Sequence, residues 1–217
     1  MGQIRRLLKP LVFLACLLPA LHLILGVLNA TGVPHLGSMS LGADPVKVML
    51  HTCGRWTLNF LMITLCMRPL KELTHSVFWL RFRRMFGLFA LFYAALHFSI
   101  YLLLDQNGRL SDLWQDIVKR PYITIGMLAL LCLIPLGITS TAKAQRRLGR
   151  DWTRLHRLVY VIAILGVWHF WWQVKKDIRE PLLYACGLTL LLGYRLWKER
   201  RSLARLSVAR LARSDAA

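Results

Sequence analysis

The residues in this 217-residue chain best placed to do chemistry are its histidines, seven in all. Four of them, His22, His97, His156 and His169, lie within long apolar runs. An ionisable side chain there is costly and is a functional candidate by default. A neutral imidazole offers one nitrogen lone pair, and between helices its characteristic task is axial ligation of a heme iron. The competing role is structural: an imidazole hydrogen-bonded to a neighbouring helix.

Depth separates the four. His97 follows the basic cluster ending at Arg84 by 13 residues (97 − 84), and His169 follows Arg154 by 15 (169 − 154). At 1.5 Å per residue both lie roughly 20 Å in, on helices entering from the same side. His97 and His169 are therefore the expected ligand pair. His22 has a similar depth but lacks the aromatic company of Phe89, Phe92, Tyr93, Phe98 and Tyr101 around His97. That cluster serves ordinary packing equally well.

His156 lies near the mouth of its span, about 20 Å from His169, and ideal helix geometry turns the two about 140° apart. The residue at its depth on the His97 helix is Arg84, a poor iron ligand but a good partner for heme propionates. The second ligand of a heme on His156 stays open between His75, a water and something less usual. His35 and His51 fall near the outer face.

These residues must be held by a membrane bundle. The chain is 56% hydrophobic with mean hydropathy +0.47, and only 18% of residues are charged, below the roughly 25% of soluble domains. About six runs reach spanning length: Leu7–Leu28, Val48–Met67, Met85–Leu104, Tyr122–Ile138, Leu155–Trp172 and Pro181–Trp197. The second is the most polar, with Lys47, His51 and Arg55 at its start. No period suggests an internal repeat.

Basic residues fall at alternate ends. The N-terminus holds Arg5, Arg6 and Lys9; Arg68 to Arg84, Lys143 to Arg154 and the tail from Arg195 occupy alternate connections, whereas the segment from Ala30 to Asp44 has no Lys or Arg. The positive-inside rule then places both termini in the cytoplasm. The short Lys175–Arg179 loop is an exception. The first run is long for a signal peptide and reads as an uncleaved span.

The net charge of +19 belongs to this topology and to anionic lipid, not to nucleic acid. No CxxC or CxxCH occurs among Cys16, Cys53, Cys66, Cys132 and Cys186, which excludes covalent c-type heme by motif. P-loop, HExxH, GxSxG and GxGxxG motifs are absent. No loop has room for a soluble catalytic domain. From residues alone three functions compete: electron transfer through heme to a partner, a stand-alone ferric reductase or quinol oxidase, and a non-redox transporter or anchor.

Several segments carry a resemblance. LGADPVK (Leu41–Lys47), HTCGRWTL (His51–Leu58) and RFRRMFGLFALFYAALHFSIY (Arg81–Tyr101) are followed by RPYITIGMLALLCLIPLGITST (Arg120–Thr141) and RRLGRDWTRLHRLVYVIAILGVWHFWW (Arg146–Trp172). In that order they resemble the MsrQ (YedZ) family, within the ferric reductase-like transmembrane proteins. The resemblance implies an all-α, single-domain fold over 1–217 in the bacterial inner membrane, with a basic tail from about 198. It implies b-type heme, one or two, and FMN. It further implies electrons drawn from quinol or a cytoplasmic flavin reductase, and delivered to MsrP. MsrP is a periplasmic molybdopterin enzyme that reduces methionine sulfoxide in envelope proteins. The family's heme histidines fall on His97, His156 and His169, with Arg84 where a fourth histidine would complete a second pair.

Overall fold

The computed structural model describes residues 2–30, 41–174 and 176–214; His35 lies outside the described residues. Among them the secondary structure is entirely helical. Helix α1 covers Gly2–Ala30, α2 Pro45–Leu73 and α3 Leu80–Ile100. A π-helical turn, Tyr101–Asp105, extends α3; α4 (Leu110–Lys119) and α5 (Pro121–Ile138) follow. Two short helices, α6 (Ala142–Leu148) and α7 (Arg150–Leu155), lead to α8 (Leu158–Gln173) and the long α9 (Arg179–Ser214).

Local signals set the boundaries. Asp44 caps α2 by accepting from the Lys47 amide at 3.1 Å, with Pro45 at the first helical position, where its missing N–H has no cost. Pro121 opens α5 in the same way. The chain leaves α2 through His75 in the left-handed region at φ 51°. His75 is exposed in this turn.

Four segments are long and apolar enough to cross a membrane: Leu7–Asn29, Val77–Asp105, Pro121–Ile138 and Arg150–Gln173. Helices α2 and α9 have the length, at 29 and 36 residues, but are more polar. Several polar groups of α2 are used within the bundle. His51 and Arg55 line an internal cavity, and Asn59 accepts from the Tyr184 hydroxyl of α9 at 2.7 Å.

α2 and α3 form one antiparallel hairpin, α5 and α8 another. α9 lies along α2, joined by Arg55–Glu180, Asn59–Tyr184 and Glu72–Tyr194. The sequence separations of these pairs are 125, 125 and 122. A near-constant separation means the two helices run parallel. α1 is fastened by one buried hydroxyl. Tyr93 on α3 is fully buried; its OH accepts from Ala20 N at 3.0 Å and donates to Cys16 O at 2.8 Å. Those two groups are an i, i+4 pair of α1 beside Pro19, so the hydroxyl is inserted into the helix ladder.

Candidate functional site

Helices α3 and α8 bring His97 and His169 together. Their ring centroids are 6.3 Å apart, with planes at 85°. His97 Nδ1 lies 2.9 Å from the Leu50 carbonyl of α2, and His169 Nδ1 lies 2.6 Å from the Tyr122 carbonyl of α5. A carbonyl oxygen can only accept, so each Nδ1 carries the proton. Each neutral ring keeps its lone pair on Nε2. A ligating histidine whose other N–H is held by a backbone carbonyl is the usual support for metal binding.

The separation fits a shared metal. With a metal–nitrogen bond of about 2.0 Å and about 1.1 Å from nitrogen to ring centroid, opposed imidazoles would stand about 6.2 Å apart. Among the described residues no three His, Cys, Asp or Glu side chains gather around one point. The two imidazoles therefore suit a metal whose remaining ligands come with it, as in a macrocycle. Both rings face a cavity of about 380 Å³, within the usual range for cofactor sites. Leu58, Leu61, Ala94, Leu133 and Phe170 contribute to its apolar wall, while Lys47, Arg55 and Arg120 bring positive charge to it and Asp44 and Asp105 negative charge.

The two halves of this site are built alike. Leu50, Gly54 and His97 stand to one hairpin as Tyr122, Gly126 and His169 stand to the other, each 72 residues on (122 − 50, 126 − 54, 169 − 97). The same offset pairs Leu58 with Leu130, Leu61 with Leu133, and Phe98 with Phe170 around the cavity. The expectation of no internal repeat is corrected here. Of these six pairs five are identical in residue type, and only Leu50 and Tyr122 differ.

Each glycine permits a ring. A Cβ at Gly126 would come within 2.8 Å of His169 Nδ1, and one at Gly54 within 3.4 Å of His97.

His156 occupies a second site. It lies between α7 and α8, stacked on Trp152 at 4.0 Å, where the α-helix gives way to a tighter turn with i→i+3 bonds from Arg157, Val159 and Tyr160. The 140° turn expected from one continuous helix therefore does not apply. Its Nε2 lies 3.1 Å from Thr139 Oγ1, whose own proton goes to Pro135 O at 2.6 Å. Nε2 must then donate, which leaves the His156 lone pair on Nδ1. His156 also lines a cavity of about 450 Å³ at the basic end of the bundle. Arg83 lines this cavity; Arg84 is exposed and is not among its walls. One residue step turns a helical side chain by 100°, which directs the two arginines apart.

The remaining candidates separate cleanly. His22 is exposed on α1. His51 joins the first cavity, and so do Phe98 and Tyr101. Phe89 and Tyr93 instead pack with Phe13, Trp56 and Phe60 between α1, α2 and α3. Trp168 and Trp172 stack on each other on the exposed face. Cys53 is fully buried in α2. Sequence reading missed the carbonyls of Leu50 and Tyr122, which no side chain announces, and the two glycines, whose shared offset was the available signal.

Comparison with known proteins bears on this arrangement. Residues 53–167 match the family described as ferric reductase like transmembrane component. The chain is 55% identical over 174 residues to the protein-methionine-sulfoxide reductase heme-binding subunit MsrQ of Xanthomonas campestris, covering 79% of this chain and 80% of that one. It is 46% identical over 190 residues to the MsrQ subunit of Azospira oryzae, covering 87% and 78%.

Proposed function

Because the chain belongs to the MsrQ heme-binding subunits of the ferric reductase-like transmembrane family, we propose that it carries electrons outward across the bacterial inner membrane to a periplasmic repair enzyme. The donor is quinol or a cytoplasmic flavin reductase. The acceptor is MsrP, the molybdopterin enzyme that reduces methionine sulfoxide in envelope proteins. One domain, 1–217, performs this, with six crossings and both termini in the cytoplasm. The parallel run of α2 and α9 supports that topology. With six alternating crossings the second and sixth go the same way, as do the third and fifth, which carry His97 and His169.

The observation that carries the reading is the His97–His169 pair with both Nδ1–H groups held by carbonyls. These two residues would hold b-type heme, which when bound supplies one-electron carriage at a stable low-spin iron. Leu50 and Tyr122 hold the rings in the required tautomer, and their helices fix the rings' orientation. The apolar wall would enclose the ring of a bound group, while Lys47 offers positive charge to its carboxylates and Arg55 and Arg120 stand beside it in ion pairs with Glu180 and Asp116. A second heme would rest on His156, and FMN completes the proposed cofactor set.

The test is a spectrum of the purified protein. The wild type is expected to show a low-spin b-type signature, and His97→Ala His169→Ala to lose it. A signature that survives in the double variant overturns the assignment. Mixing reduced protein with MsrP or with ferric chelates then separates electron delivery to a partner from stand-alone ferric reduction.

A further inference from the structure

One histidine of the apolar runs takes part in neither site. His22 stands on α1 within the span Leu7–Asn29, seven residues short of its C-terminal end (29 − 22). At 1.5 Å per residue that is roughly 10 Å inside the apolar layer. The ring is exposed there, and among the described residues none bonds to it. Lys and Arg reach the interface from such a depth on long flexible stems; an imidazole is held close to its helix and stays in the lipid layer. A polar group left without a partner in hydrocarbon is costly. Nor can α1 turn to bring the ring inward. Cys16, Ala20 and Leu23 are buried against the bundle, and the Tyr93 hydroxyl is bonded to Cys16 O and Ala20 N. These contacts fix the rotation of α1, and His22, two residues past Ala20, is turned about 200° from it.

The usual partner of a polar side chain at this depth is another helix. Leu11, Ala15, Leu18 and His22 are all exposed, at separations of 4, 3 and 4 (15 − 11, 18 − 15, 22 − 18), the 3.5-residue period on which two helices pack lengthwise. Ala15 lets the backbones approach closely within that seam. A neutral imidazole carries one donor and one acceptor, so it complements a second copy of itself: one ring donates its N–H and the other accepts. Chains inserted in one orientation bring two α1 helices together in parallel, and a two-fold axis between them sets like residues of the seam face to face. We propose that α1 is the contact surface of a homodimer in the membrane, its seam from Leu11 to His22 closed by a hydrogen bond between the two His22 rings. The proposal rests on α1 crossing the bilayer and is independent of the heme assignment.

The test uses the full chain in lipid vesicles, with subunits counted by single-molecule photobleaching of labelled protein at increasing dilution in lipid. The wild type is expected to dimerise, and His22→Leu to weaken the dimer roughly 5- to 30-fold, the worth of one hydrogen bond between membrane helices. His22→Asn should restore association, because the amide again offers a donor and an acceptor. Ile24→Ala should stay within about twofold of wild type, since Ile24 is exposed about 200° around the helix from His22. A second measurement leaves His22 in place. Single cysteines are oxidised in the membrane in a Cys186→Ser background, which removes the exposed native thiol. Leu11→Cys, Ala15→Cys and Leu18→Cys should cross-link, and Ile24→Cys should not. A wild type that stays monomeric at every dilution refutes the dimer, and the ring then serves a helix of another protein or none. Equal association of His22→Leu and wild type also refutes it, as does a His22→Asn that associates no better than His22→Leu, or cross-linking that does not follow the seam.

Discussion

The paired glycines offer a prediction with its own control. A methyl group at Gly126 would sit 2.8 Å from Nδ1 and 2.9 Å from Cε1 of His169. Ordinary contact begins near 3.5 Å, so the ring must withdraw by roughly 0.6 to 0.7 Å. The imidazole is rigid, and its 2.6 Å bond to the Tyr122 carbonyl lengthens or bends as it moves. A ligand must be held within about 0.5 Å of its working position, and loss of such support costs 10- to 100-fold in metal affinity, about 1.4–2.7 kcal/mol. At Gly54 the same methyl group finds His97 at 3.4 Å, close to ordinary contact.

Gly126→Ala should therefore lower heme retention by roughly 10-fold or more, while Gly54→Ala stays near wild type. Both replacements add one methyl group to a helical glycine beside a histidine, at equivalent positions of the two hairpins. Changes in helix propensity or membrane insertion are thus largely matched. The assay is heme per protein after parallel purification, with the low-spin spectrum as a second readout. Equal retention in the two variants would falsify the claim that His169 is held by its seat on α5. Greater loss at Gly54 would reverse the geometry outright.

Three further outcomes follow from other parts of the bundle. Tyr93→Phe removes the hydroxyl set between Cys16 O and Ala20 N; thermal unfolding in detergent should show a loss of about 1–3 kcal/mol with heme retained, and an unchanged melting temperature would refute the insertion. Hydrogen bonds from Lys198, first, and Tyr194 hold the Glu72 carboxyl below its usual range, so its stabilising share is present above the unfolded value near 4.3 and is lost as pH falls through the lower folded value. Melting temperatures should fall with acid in the wild type more than in Glu72→Gln, and equal slopes would count against this link between α2 and α9. On α4, Leu110, Trp114 and Val118 are each 68% exposed along one stripe, whereas Asp116 on the other side accepts from Tyr101 OH at 2.7 Å. Brominated lipid should quench wild-type fluorescence more than that of Trp114→Phe if the stripe lies in the bilayer interface, and equal quenching would place Trp114 away from lipid.

Much of the fold was legible in the sequence because bilayer length and basic clusters act over long windows. α2 was the weakest of the expected spans, and the reason is physical. His51, Arg55 and Asn59 dilute its apolar run yet face the cavity and α9 rather than lipid. The His97–His169 pairing was legible from depth, since rise per residue is nearly invariant along a helix. Arg83 was not preferred over Arg84, because depth fixes a level on the helix axis and says nothing of the side facing inward. The break at His156 was likewise hidden, and with it the identity of the nitrogen that keeps the lone pair.

The 72-residue offset joins matched side chains to one matched backbone task that the side chains do not announce. Leu50 and Tyr122 perform one task through their carbonyls, so selection on that task leaves their side chains unconstrained. Gly54 and Gly126 agree in type but differ in tightness, 3.4 Å against 2.8 Å. His97 and His169 are the pair in which the side chain itself does the work, and there the two halves are identical. Arg84 and His156 stand at the same offset (156 − 84), and there the halves diverge. The symmetric end thus presents two like imidazoles, while the basic end has one histidine on an arginine-lined cavity. A bundle with equivalent tasks at both ends would be expected to keep both pairs. The asymmetry leaves a matched pair of histidines at the symmetric end and a single histidine among arginines at the basic one.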